Sequence, residues 1–418
     1  MTIAAAAPTA PDLVQIYQDL HAHPELSFQE TRTASVAAQW LRANGFETTE
    51  GVGRTGVVGI LRNGDGPTAL LRADMDALPV LEDTGLAYAS VVRGTDLDGN
   101  DVPLMHACGH DVHVTCLLGA CRELAADRGS WAGTLMVVFQ PAEEVGAGAQ
   151  AMIDDGLFDR FGRPDVVLGQ HVAPLPAGFI GIRPGPSFAA ADGIRITLFG
   201  RGGHGSRPEA TVDPVVMAAA TVLRLQTVVS RELAGTDVAV VTVGALRAGT
   251  KENIIPDSAE LLVSTRSYDE KVRSRMVAAI ERIVRAEAAA AGATREPTVE
   301  LMYGFPAVVN DIAGSAKATE LFTGLLGPGR VVDPGLITGS EDVGVLAAAS
   351  GAPCVFWLLG GGDPAPFAGA GTVEQMAAIL NDVPSNHSPH FAPVIEPTLT
   401  IGIGALAAAA RAWLPAPA

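Results

Sequence analysis

Cysteine, aromatic residues, positive charge and long hydrophobic runs are all scarce in this chain of 418 residues. Four cysteines cannot make the dense disulfide framework of a small secreted domain, so the fold must rest on buried apolar surface. The 28 basic residues are outnumbered by 46 acidic ones, a formal net charge of −18, and such a surface repels phosphate backbones. Nucleic acid is therefore not expected as a partner. No run of about twenty apolar residues occurs, so no membrane-spanning helix is expected. The N-terminus, Met1 to Pro8, lacks the basic start and long apolar stretch of a secretory leader. A reducing, cytoplasmic location follows as the expectation.

What is present is globular in character, with 48% apolar and 18% charged residues and a length that suits two unequal domains. Pro11-Asp12 opens a first helix in which Leu13, Ile16, Tyr17 and Leu20 fall on one face. A second helix runs from about Thr33 to Asn44. Apolar strand-length runs then alternate with helices: Gly56–Leu61, Ala69–Ala73, the helix Asp111–Ala126, Thr134–Phe139 and Val166–Gly169. That rhythm predicts an α/β fold, a mainly parallel sheet flanked by helices. Cys116 and Cys121 fall in the apolar helix and read as buried thiols.

Between about Ser187 and Glu300 the rhythm changes to β-α-β-β-α-β. It runs from a strand around Ile194, Ile196 and Leu198, through a helix over Pro214–Arg231, to a long helix capped by Asp269 and a last strand near Thr298–Tyr303. This predicts an inserted α+β lid domain of four strands and two helices, at 187–300, between catalytic segments 1–186 and 301–418.

Chemistry concentrates in short motifs. Met105-His106-Ala107-Cys108-Gly109-His110-Asp111-Val112-His113 lies just before an apolar helix, and Cys108 and His110, two apart around a glycine, can face one point. A thiolate and an imidazole are good donors for a borderline-soft divalent ion. Gln140-Pro141-Ala142-Glu143-Glu144 follows a buried strand, where two carboxylates are costly unless paired or bound to cations. Adjacent side chains point apart, so one can ligate a metal while the other serves as a base toward water. His171 ends a further apolar strand, and Asn386-His387-Ser388-Pro389-His390 lies in a late loop.

These segments resemble the aminoacylase and carboxypeptidase metallopeptidase family, in its branch of hippurate hydrolases and auxin–amino acid conjugate hydrolases. The resemblance also takes in His21-Ala22-His23-Pro24-Glu25, Arg72-Ala73-Asp74-Met75-Asp76-Ala77-Leu78-Pro79, Gly202-Gly203-His204-Gly205-Ser206, Asn253-Ile254-Ile255-Pro256-Asp257 and Gly339-Ser340-Glu341-Asp342. It implies an enzyme, a metal-dependent amidohydrolase that cleaves N-acyl amino acids. By motif position it implies two divalent ions held by Cys108, His110, Glu144, His171 and His387, with the cysteine bridging them. His387 rather than His390 matches the motif.

The resemblance further implies Glu143 as general base and His204 as the group that polarises the scissile carbonyl. Asn253 and Arg266 would grip the substrate's carboxylate. Asp74 and Asp76 are expected to support the ligands rather than to bind metal, and His21-Ala22-His23 to be structural. The donor set suits zinc, with manganese, cobalt or nickel as alternatives. A homodimer through the lid is implied, with an edge strand near Val238–Leu246 and His204 acting in the partner's site. The rivals are a dipeptidase or N-carbamoyl hydrolase on the same fold, and a catalytically silent metal- or ligand-binding protein. Retention of both Glu143 and His204 argues against the silent protein.

Overall fold

The computed structural model describes residues 9–370 and 372–416, so the Met1–Pro8 segment read above for a leader lies outside the described residues. The elements used below, in chain order, begin with helices α1 (Pro11–Ala22) and α2 (Thr31–Ala43) and strands β1 (Glu47–Val52), β2 (Gly56–Asn63) and β3 (Thr68–Asp74). They continue with α3 (His110–Ala126), β4 (Gly133–Gln140), β5 (Val166–Pro176) and β6 (Ile180–Gly181). Next come β7 (Ala190–Phe199), α4 (Pro214–Thr227), β8 (Ala239–Ala248), β9 (Ser258–Ser267), α5 (Glu270–Ala290) and β10 (Thr298–Phe305). The chain closes with α6 (Ile312–Leu326), β11 (Val331–Val332), β12 (Cys354–Gly362) and α7 (Ile395–Trp413).

The chain divides into two compact units, one of residues 1–185, 309–335 and 342–418, the other of 186–308 and 336–341. In the first, eight strands form one sheet in the order β1-β2-β4-β3-β5-β12-β6-β11. Its four central strands, β4, β3, β5 and β12, run parallel. The β1–β2, β2–β4 and β12–β6 pairings are antiparallel. The apolar runs that predicted a buried sheet are indeed covered: β2, β3, β4 and β12 are buried almost throughout, beneath α1, α2, α3, α6 and α7. All four cysteines are buried, and none is in a disulfide.

The second unit is a four-stranded antiparallel sheet, β8-β9-β7-β10, with α4 and α5 packed on it. Alternation along β9 buries Ala259, Leu261 and Val263, which meet Met217, Leu225, Met276 and Ile280 from the helices. Asp269 caps α5 by accepting from the backbone of Lys271 and Val272, a contact worth about 1 kcal/mol. The return to the first unit falls at 309, later than the 301 expected from sequence. The reason is that β10 stays paired to β7 from Thr298 to Phe305. No helix among the described residues is long and apolar enough to cross a membrane.

Candidate metal centre

The parallel strands deliver the chemistry at their carboxyl ends. β3 ends at Asp74, β4 ends at Gln140 and leads into Glu143 and Glu144, and β5 carries His171 at its midpoint, since the strand runs on to Pro176 instead of ending at the histidine. Between β3 and β4, α3 presents His110 as its first residue, after a turn in which Gly109 has φ +80°. A Cβ at Gly109 would approach Val172 to 2.4 Å, so only glycine fits there. Ala142 and His387 also adopt left-handed backbone, at φ 50° and 70°. A non-glycine residue pays about 1–2 kcal/mol for this, and here the strain falls on the two loops that carry Glu144 and His387.

The five ligands expected from the resemblance come together. Donor atoms of Cys108, His110 and Glu144 lie within 4.8 Å of one another. His171 Nε2 is 3.4 Å from Cys108 Sγ, and His387 Nε2 is 3.4 Å from Glu144 Oε2. His171 donates its Nδ1 proton to the Val172 carbonyl, at 2.8 Å, which leaves Nε2 as a lone pair facing the thiol. The late loop is tied to the cysteine turn: Asn386 donates to the carbonyls of Cys108 and Val172, and the His387 amide donates to the Ala107 carbonyl.

The electrostatics call for a cation. Both ring nitrogens of His110 and Oε1 of Glu144 are buried without a hydrogen-bond partner among the described residues. Burial, together with Glu144, Glu143 and Asp74, pushes the Cys108 thiol well above its usual range. Burial likewise raises the Glu144 carboxyl. His110 is opposed by its burial, but Asp74, Asp76 and Glu144 outweigh that and raise it to about 10. A buried thiol and buried carboxylates facing one another fit a divalent ion, which compensates their negative charge in place of the His110 proton and leaves that imidazole as a neutral donor. The residues present therefore suit two bound ions.

Around the donors lies a layer of buried support. Asp76 accepts from the amides of Glu143 and Glu144 and from the Ser27 hydroxyl, and its Oδ1 lies 3.3 Å from His110 Nδ1. Asp74 pairs with Arg72 and with His113 Nδ1. The Val172 amide donates to His113 Nε2 at 2.7 Å. Both nitrogens of His113 are thus engaged, which argues against it as a ligand although it sits close to Asp74, His110 and His171. Arg72 also donates to Gln140 and Asp342, and Gln140 donates to Asp342. Arg72, Gln140 and Asp342 were not expected to take part. Their signal was an arginine and a glutamine within otherwise apolar strands.

Two expectations concerned other histidines. His21 is fully buried, with Nδ1 2.6 Å from Asp111 and Nε2 3.1 Å from Glu82, while His23 is exposed beside Asp19. His390 places its Nδ1 2.6 Å from the Asp83 carbonyl, and the Asp83 amide donates to the Pro389 carbonyl. It thereby anchors the loop that carries His387.

His204, Asn253 and Arg266 belong to the second unit. His204 is exposed, and its Nδ1 accepts from the Ser206 amide at 3.1 Å, which leaves the proton on Nε2 as a donor. Asn253 lies beside it, its carbonyl accepting from Gly205 at 2.8 Å. This pair sits at the Ser258 end of β9, where Asp257 binds the backbone of Gly200 and Gly202. Arg266 stands eight residues along the same strand, opposite Ala191 and Val240. At about 3.3 Å per residue that is roughly 26 Å away. Within the second unit, therefore, Asn253 and His204 do not reach the same small substrate as Arg266.

Comparisons with known proteins give the family. Residues 70–382 match the model for Peptidase family M20/M25/M40. Thermostable carboxypeptidase 1 of Saccharolobus solfataricus is 37% identical, over 79% of this chain and 81% of that protein. Hippurate hydrolase of Campylobacter jejuni is 43% identical, over 62% of this chain and 65% of that protein. Among solved structures, the YXEP protein of Bacillus subtilis, described as a dinuclear metal binding peptidase, aligns with a TM-score of 0.75 at 30% identity. That alignment covers 97% of this chain and 98% of the other.

Proposed function

Because the chain belongs to peptidase family M20/M25/M40 and is a metal-dependent amidohydrolase of that family, we propose that it cleaves N-acyl amino acids to a carboxylic acid and a free amino acid. The observation that carries the reading is the meeting of Cys108, His110 and Glu144 donors within 4.8 Å, with both His110 ring nitrogens and Glu144 Oε1 lacking a hydrogen-bond partner among the described residues. The relation to a hippurate hydrolase supports an acyl substrate.

In this reading Cys108, His110, Glu144, His171 and His387 would hold two ions. Zinc suits one thiolate, three imidazoles and a carboxylate, and manganese, cobalt or nickel are the alternatives. When bound, the ions supply Lewis acidity toward water and the scissile carbonyl. Glu143 takes the proton of the attacking water and delivers it to the leaving nitrogen. Asp76 fixes the turn that carries both glutamates, and Asp74 orients through Arg72 and His113. Arg266 grips the substrate's carboxylate with a guanidinium suited to two parallel hydrogen bonds.

His204 and Asn253 then act from a second copy, since a substrate held by Arg266 lies beyond reach of the same lid's His204. The lid offers a surface for such pairing. Its edge strand β8 leaves Val240 and Leu246 exposed, and α4 exposes Val216 and Leu223. A cytoplasmic location belongs to the same proposal, because a ligating thiol stays reduced there.

The reading is tested with metal-reconstituted protein and a matched series of N-benzoyl, N-acetyl and N-carbamoyl amino acids and dipeptides. The N-acyl compounds should turn over fastest. Protein that binds two ions per chain yet cleaves none of the series would overturn it.

A further inference from the structure

A cavity of about 330 Å³ lies in the first unit, and Glu144 forms part of its wall. That is at the small end of the range for ligand sites, roughly 300–1,000 Å³. Leu26, Ala77, Leu78, Leu97 and Val145 supply most of the remaining lining. We propose that this cavity is the acyl subsite, and that it selects uncharged apolar acyl groups and rejects those ending in a second carboxylate. This deepens the proposed function and rests on it.

Position is the first argument. A carbonyl carbon attacked beside Glu144 has its acyl substituent within reach of this cavity, because Glu144 and Val145 are consecutive in its wall. Chemistry is the second. Among the described residues no lysine, arginine or histidine lines the cavity, so none of them there would receive the substrate's carboxylate. Its charged groups other than Glu144 are Asp96 and Asp98, and its one hydroxyl, on Ser27, is spent on Asp76 at 2.7 Å. An acyl chain ending in an anion would meet two like charges, whereas a ring or alkyl chain meets apolar side chains.

The lip is a built feature. Leu97 is 70% exposed at the tip of a hairpin formed by Arg93–Thr95 and Asp101–Pro103. The Asp96 carboxylate accepts from the amides of Asp98 and Asn100, Arg93 pairs with Asp101, and Gln29 donates to the Thr95 carbonyl. A leucine fixed in water over an apolar cavity gains by covering an apolar guest.

The test uses metal-loaded wild-type protein, Leu97→Ser and Asp98→Lys, since Asp96 holds the turn and is left alone. Binding of the acids benzoate, acetate and succinate is measured by calorimetry. Turnover of N-benzoyl, N-acetyl and N-succinyl derivatives of one amino acid is measured alongside. Leu97→Ser should weaken benzoate about ten-fold and acetate less than about two-fold. Asp98→Lys should raise succinate binding relative to benzoate by about three-fold, and less so in high salt. Equal losses for benzoate and acetate, or an unchanged succinate-to-benzoate ratio, would overturn the subsite. Discrimination among the acids without turnover of any N-acyl compound would uphold the subsite and remove the proposed reaction.

Discussion

The Asp76 carboxylate accepts the Glu144 amide at 3.0 Å, and its other oxygen takes the Glu143 amide at 3.1 Å. One buried side chain thus sets the direction of two neighbouring glutamates to which we assign different duties. Substituting Asp76→Ala should loosen that turn. Removing such a supporting contact lowers metal affinity or activity by about 10- to 100-fold. Metal titration of the apo protein checks this, and an unchanged affinity with unchanged kcat would remove Asp76 from the account.

Placing His204 in the partner's site makes a prediction about mixtures. Glu143→Ala and His204→Ala proteins, each inactive alone, should complement after subunit exchange. At random pairing about half the dimers are mixed, each with one intact site of two, so about a quarter of wild-type activity should return. No recovery despite demonstrated exchange would place His204 in its own chain's site.

Arg266 predicts a dependence on the substrate's free carboxylate. N-acyl amino acids should be cleaved roughly 10- to 100-fold faster than their amides or methyl esters, as expected for a lost charge-assisted pair. In Arg266→Ala protein the three should react at similar rates. A wild-type enzyme indifferent to the blocking group would exclude Arg266 from substrate binding.

The His21 imidazole is opposed by its burial, yet its hydrogen bonds to Asp111 and Glu82 raise it to about 10. Tyr17 and Tyr88 flank the ring. Because the folded value exceeds the ordinary value of about 6.5, the bound proton stabilises the fold fully below that pH. The contribution is lost as pH rises toward about 10. Denaturation midpoints of wild-type protein should therefore fall more steeply from about pH 7 to about pH 9.5 than those of His21→Gln. Parallel curves would show that His21 is not charged in the folded protein.

The Cys108–His110 turn and the Glu143-Glu144 pair were legible as candidate metal donors because they sit in short motifs beside apolar segments, where a buried carboxylate or thiol needs a reason. His171 and His387 are single histidines, and the resemblance rather than their local pattern put them in the donor set. Contacts far apart in sequence could not be read in that way. Asp111 meets His21 from 90 positions away, and Arg72 reaches Asp342 from 270. Nor does a motif reveal the end of the strand on which it stands. That Asn253 and Arg266 lie at opposite ends of the second unit's sheet follows from the unbroken run of β9 from Ser258 to Ser267. The helices and their caps were legible for the opposite reason: Asp269 and the apolar face of α1 act within a few residues of themselves.

The central claim is that Glu143 moves the proton while Glu144 holds metal, and one comparison tests it directly. Glu143→Gln and Glu144→Gln proteins are each assayed for bound metal and for kcat on an N-benzoyl amino acid. Glu143→Gln should keep both ions and lose about 10²- to 10⁴-fold in kcat, the usual worth of a general base, whereas Glu144→Gln should lose metal. Near-normal kcat in Glu143→Gln, with both ions bound, would contradict the account.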